Sequence, residues 1–101
     1  MDGFDIDNID EVIHGRIRLG IMSYLSTAKS AEFTELKTRL NTTDGNLSVH
    51  MRKLEEAGFV EIQKSFLGRK PLTQISMTAR GSEAFARYLD AIGVLVGRSA
   101  S

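Results

Sequence analysis

An α+β fold is what this chain predicts: a three-helix core, a β-hairpin and a closing helix. Three observations carry that reading. Ile9, Ile13, Ile17, Ile21 and Leu25 recur every four residues near the start. Two helical stretches then follow with only Asn41-Thr42-Thr43 between them. Beyond these, two alternating apolar stretches flank a basic segment, Gly68-Arg69-Lys70-Pro71. A chain of 101 residues, 42% of them hydrophobic, has material for one domain with one modest core. Residues 9–96 are expected to form that domain, behind an acidic leader at 1–8 and ahead of a flexible tail at 97–101.

Asn8 followed by Glu11 resembles a capping box, so the first helix is expected from about Ile9 to Ser26. Val12, Leu19 and Met22 widen its apolar stripe beyond what one small core needs. Gly15 and Gly20 weaken it, each by up to about 1 kcal/mol relative to Ala. Ala31-Glu32-Phe33 reads as a short extended piece with Phe33 inward. Thr34 is the expected cap of a second helix, whose Leu36 and Leu40 face the core one turn apart. A third helix is predicted from about Asp44 to Ala57, with Leu47, Met51 and Leu54 on one face. Gly58 stands where a helix C-terminus favours a left-handed residue.

Phe59 to Ser65 and Leu72 to Met77 alternate as half-buried strands, with Val60 and Ile62, and Thr73, Ile75 and Met77, on their inner sides. Phe66 to Pro71 reads as a connection longer than a two-residue turn, with Pro71 at a strand end. Thr78 caps a last helix carrying Ala84, Phe85, Tyr88, Leu89, Ile92 and Val96. Helix, short strand, helix, helix, strand, strand, helix is the order of a winged helix-turn-helix with a two- to three-stranded β-wing.

The net charge is zero, but it is unevenly spread. Asp2, Asp5, Asp7, Asp10 and Glu11 crowd the first 12 residues, where no Lys or Arg occurs. From Leu36 to Pro71, Lys37, Arg39, Arg52, Lys53, Lys64, Arg69 and Lys70 face only Asp44, Glu55, Glu56 and Glu61. With Leu47, Met51 and Leu54 inward, the helical period turns Gly45, Ser48, Val49 and Arg52 outward. Asn46, His50 and Lys53 flank them. Short side chains near the N-terminal end suit close approach to base edges in a major groove. Ser48 can donate or accept, Val49 can meet a thymine methyl, and Arg52 can reach guanine or phosphate. Thr42 and Thr43 can hold a phosphate with the free amides of the helix start, although Asp44 would repel it. Arg69 and Lys70, with Lys64 beside them, form a second basic group suited to a minor groove or to phosphates. His50 is as well placed to bond within the protein as to touch DNA.

Thr43-Asp44-Gly45-Asn46-Leu47-Ser48-Val49-His50-Met51-Arg52-Lys53-Leu54-Glu55-Glu56-Ala57-Gly58-Phe59-Val60 resembles the recognition segment of small MarR/ArsR-type winged-helix transcriptional regulators. Met77-Thr78-x-x-Gly81 is similar to the start of their last helix. The resemblance implies a dimer on a palindromic double-stranded DNA site. Contacts would come from Thr43, Asn46, Ser48, Val49, Arg52 and Lys53 in the groove, and from Arg69 and Lys70 in the wing. It also implies dimerisation through the first and last helices, a pairing expected to use Ile9, Ile13, Ile17, Phe85, Tyr88, Leu89 and Ile92. The cysteines of metal-sensing members are absent, as are the extra helices that bury phenolic effectors in larger ones.

Other chemistry has little to work with. There are no cysteines, only two histidines, and no HExxH motif or phosphate-cradling glycine loop. No catalytic residue, metal site or cofactor is therefore expected, and no small-molecule effector can be named. The opening Met1-Asp2-Gly3-Phe4-Asp5 lacks the basic start and apolar run of a signal peptide, and no stretch approaches a membrane span. A cytoplasmic homodimeric repressor is the expectation. Two rival readings are a winged-helix protein-interaction module and a ligand sensor at a dimer interface.

Overall fold

Ile13, Ile21, Met22, Leu25, Leu36, Leu47, Leu54 and Ile75 are sealed from solvent in one cluster that draws on every helix layer and the sheet. Each such side chain contributes roughly 1.5–3 kcal/mol on burial. The computed structural model describes residues 5–97. A 3₁₀ turn at Ile6–Asn8 leads into α1 (Arg16–Ala28), β1 (Ser30–Glu32), α2 (Phe33–Arg39) and α3 (Asp44–Glu56). β2 (Val60–Leu67), β3 (Lys70–Met77) and α4 (Ala79–Leu95) complete the chain. β3 lies between β1 and β2 in an antiparallel sheet, with Ala31 opposite Ile75 and Ile62 opposite Ile75 on the other side. The α+β winged-helix architecture expected from the sequence is the one observed. No helix among the described residues is long and apolar enough to cross a membrane.

The first helix starts later than its apolar spacing predicts. Asp10 turns its carboxylate back onto the amides of Val12 and Ile13, at 2.8 and 3.3 Å, and Gly15 is the extended N-cap of α1. The Asn8–Glu11 capping box does not form; Asp5 caps the 3₁₀ turn instead. Ile9 and Ile13 are nonetheless buried, so the four-residue spacing reports burial here and not a helix. Phe33, expected inward on a strand, opens α2 and is only half-buried, while Ala31 is the inward residue of β1. Thr34 is not the cap of α2. Glu32 is, in a reciprocal capping box with Glu35.

The wing is longer and its turn tighter than expected. Leu67 pairs with Lys70 and Phe66 with Pro71, leaving a two-residue turn at Gly68-Arg69. Gly68 takes φ +67°, where a glycine has no Cβ to clash. β1 pairs with β3 only over Gln74–Ser76, so Pro71 lies beyond the reach of that edge and withholds no amide from it. Of the leader expected at 1–8, residues 1–4 lie outside the described residues, as do residues 98–101 of the tail expected at 97–101.

One junction ties α3, β2 and α4 together. The amides of Gly58 and Phe59 return to the carbonyls of Glu55 and Leu54, at 2.9 and 3.0 Å, with Gly58 at φ +81°. This is the two-bond closure of a helix by a left-handed glycine. Thr78 then donates its hydroxyl to the Gly58 carbonyl at 2.6 Å, and its amide to that of Phe59 at 3.1 Å. The same hydroxyl oxygen accepts the Gly81 amide at 2.9 Å, capping α4 as expected. A Cβ on Gly81 would stand 2.1 Å from the Phe59 carbonyl oxygen, so only glycine lets α4 come this close. Gly81→Ala should therefore destabilise the fold by about 1–3 kcal/mol or more. Gly45→Ala, with nothing within 4 Å of the new Cβ, should be neutral or stabilise it by about 0.4–1 kcal/mol. Urea midpoints of the two variants check the contrast.

Candidate nucleic-acid interface

Leu47, Met51 and Leu54 lock one side of α3 into the core, and the opposite side is therefore open. Asn46, Val49, Arg52 and Lys53 are exposed, with half the surface of Val49 accessible (50%), and Ser48 is half-buried. Thr43 caps the helix, its hydroxyl oxygen accepting the Asn46 amide at 3.2 Å. That leaves the hydroxyl proton free to donate outward. Thr42 beside it is half-buried. Lys37 of α2 pairs with Asp44 at 2.9 Å, both side chains well exposed. The pair adds little stability, but it offsets the one negative charge at the helix start that would oppose a phosphate.

The wing base and α3 share a groove of about 570 Å³. Phe33, Met51 and Ile62 floor it, while Ser48, Arg52 and Glu55 of α3 face Lys64 and Thr73 of the sheet across it. Arg52 and Lys64 have no ion-pair partner among the described residues. Arg69 and Lys70 are exposed at the far end of the wing, away from this groove. The sequence-predicted basic residues thus fall into two groups: one around α3 and the wing base, the other at the wing tip.

Sequence reasoning missed Arg18. From α1 it places Nη1 2.8 Å from Nδ1 of His50 on α3, and its guanidinium also donates to the Val12 and Glu11 carbonyls. Arginine has only donors, so Nδ1 of His50 accepts and its ring proton sits on Nε2. Burial, then the charges of Arg18 and Lys53, hold His50 below the usual histidine range. Nothing in the local pattern of either helix signals a pair 32 residues apart. His14 makes a comparable long-range bond, Nδ1 to the Tyr88 hydroxyl at 2.8 Å, and burial pushes the Tyr88 phenol up.

The expected dimer residues divide. Ile9, Ile13, Ile17, Phe85 and Tyr88 are buried in the chain's own core. Leu89 is 52% exposed and Ile92 half-buried, and they share the outside of the protein with exposed Ile6, Val94 and Val96. The wide stripe of the first helix packs within the chain, α1 meeting α3, α4, β1 and β3. Among the described residues no cluster of three or more His, Asp or Glu could hold a metal ion.

Residues 17–96 match the family described as the winged helix DNA-binding domain. The chain belongs to that family. The uncharacterized protein MJ0432 of Methanocaldococcus jannaschii is 40% identical over 79 residues, covering 78% of this chain and 86% of that protein. The solved structure of a transcriptional regulator homologue from Pyrococcus horikoshii OT3 is 30% identical, with TM-score 0.85 and 95% of both chains covered. An ArsR family transcriptional regulator, RHA00566, shares the fold at 18% identity, TM-score 0.58 and 93% of both chains. The resemblance read in Thr43–Val60 is borne out along most of this winged helix-turn-helix chain.

The His50 contact makes this winged-helix domain sensitive to pH. Folding favours neutral His50, whereas the unfolded chain takes up a proton near 6.5. The contribution to stability is therefore full above that value and lost as pH falls from it toward the lower folded pKa. Wild type should melt at lower temperature at about pH 5.5 than at about pH 7.5. His50→Gln should shrink that difference. An imidazole titration by NMR with a midpoint at or above 6.5 would contradict the assignment.

Proposed function

We propose that this chain is a dimeric, sequence-specific DNA-binding transcriptional regulator that represses by occluding its site. The observation that carries the reading is the groove where Ser48 and Arg52 of α3 face Lys64 and Thr73 of the wing base, in a winged helix DNA-binding domain. α3 enters the major groove with Ser48, Val49 and Arg52 toward base edges. Thr42, Thr43, Asn46 and Lys53 hold the phosphates on either side. Lys64 follows the backbone along the groove, and Arg69 and Lys70 reach the flanking DNA. Gly45 supports this arrangement. It costs the helix about 1 kcal/mol relative to Ala, and no neighbour within 4 Å in the chain itself requires it. A closely approaching duplex would.

Two copies join through the outer side of α4, where Leu89, Val94 and Val96 are exposed and Gly93 leaves room for a neighbouring helix. A two-fold dimer then reads half-sites about one helical turn apart, on the order of 10 base pairs. The deciding experiment is anisotropy binding to a randomised duplex pool at two salt concentrations, with sequencing of what is retained. Enrichment of a palindrome by salt-sensitive binding supports the reading, and a folded protein that binds no duplex at low salt overturns it.

On the selected site, Arg52→Ala should cost roughly 1–3 kcal/mol and relax preference at one base pair. Uniform weakening on all sequences would reassign Arg52 to a phosphate. Replacing Arg69 and Lys70 together by Ala should flatten the slope of log affinity against log salt by about two. An unchanged slope would remove the tip from the interface.

A further inference from the structure

Phe66 and Leu67 at the tip of the wing are each 72% exposed, more than any other large apolar side chain among the described residues. Nothing in the DNA-contact scheme above uses them. Two bare apolar side chains side by side at the end of one strand mark a surface that meets something. Side chains alternate along a strand, and the register settles which one faces what. Ile62, Lys64 and Phe66 share one face of β2, with Thr73 and Pro71 opposite them on β3. That is the face that lines the groove with Ser48 and Arg52. Leu67 lies on the other face, with Gln63 and Ser65.

We propose that Phe66 is an apolar wedge that the wing drives into the minor groove beside the α3 site, with Arg69 and Lys70 drawing the tip in. This rests on the reading that the chain binds duplex DNA, and it adds a residue and a mode of reading to it. Minor-groove proteins often insert such side chains between base steps, partly unstacking them and bending the duplex. Sequence preference at that position comes from how easily the step opens, with pyrimidine–purine steps favoured.

Charge decides the occupant. From Gln63 to Ser82 the chain has no Asp or Glu, while Lys64, Arg69, Lys70 and Arg80 are basic. Two such tips would repel each other, which argues against a second copy. An anionic lipid surface would attract the same charges but has no use for α3. The shared face of Phe66, Lys64 and the α3 groove points the tip and the recognition helix at one polyanion.

The test uses the full chain and the selected duplex, with 2-aminopurine scanned through the steps flanking each half-site. Phe66→Ala should weaken binding at least about fivefold, the lower end of what one base-stacked aromatic contributes. The salt slope should not change, because no charge is removed. Phe66→Leu should keep part of the affinity, and Leu67→Ala should lose less than Phe66→Ala. A 2-aminopurine at one flanking step should brighten with wild type and stay dark with Phe66→Ala. Melting temperatures of all variants should match, since both side chains are exposed. Wild-type affinity in Phe66→Ala, with no 2-aminopurine signal from either protein, overturns the wedge alone. So does loss of binding to phosphatidylglycerol vesicles, or of self-association by sedimentation, in a Phe66→Ala that still binds DNA as wild type does. A wild type that binds no duplex at low salt overturns the parent reading and the wedge with it.

Discussion

The burial of Leu47, Met51 and Leu54 is the constraint on which the outward side of α3 depends. With that side of α3 sealed against the core, the helix has one rotation open to it, and Ser48, Val49 and Arg52 are left facing out. The end of the helix is held just as firmly. Gly58 closes it, Thr78 holds the Gly58 and Phe59 carbonyls, and Gly81 allows α4 to pack directly on that of Phe59. Because β2 starts at this junction, the direction of the wing relative to α3 is set by the same few backbone groups. A loosened junction would disturb helix and wing together.

Neutral net charge and nucleic-acid binding are compatible here because the charges are sorted by position. The acids of the first 12 residues precede α1 in the sequence, whereas the basic residues gather between Leu36 and Pro71. Asp44, the acid nearest the helix start, is matched by Lys37. Arg18 has a different role from the other cations. It is spent inside the protein, bridging the Glu11 and Val12 carbonyls to His50, so the irregular segment before α1 is fastened to α3. His50 must stay neutral for that bridge to hold, which links protonation to the placement of α3.

The wing joins two kinds of surface. Its base contributes Ile62 and Thr73 to a groove with a partly apolar floor, and its tip carries bare apolar and basic side chains side by side. Eight-residue strands carry the tip beyond the core, which explains both features. Residues near β1 and α3 find neighbours, and those past Lys64 do not. The exposure of Phe66 is thus a result of strand length, and the face it takes is a result of register.

Much of this was legible in the sequence wherever a periodic pattern coincided with a local backbone signal. α3 carried an apolar face and a closing glycine, and it folds within a residue of its expected limits. α4 began at Thr78 for the same reason. The pattern misled where burial and helix are separable: Ile9 and Ile13 keep the spacing of a helix in a segment that Asp10 and Gly15 turn into irregular backbone. Apolar side chains also do not say which neighbour covers them, so five residues expected between subunits lie inside the chain's own core. The sequence by itself determined the class, the element order and the outward face of α3, because these follow from interactions a few residues long. Only the tertiary structure decided the Arg18–His50 bridge, the Gly81 contact, the shared groove and the bare wing tip. Each depends on residues distant in the chain brought to within a few ångströms, a proximity that no local pattern encodes.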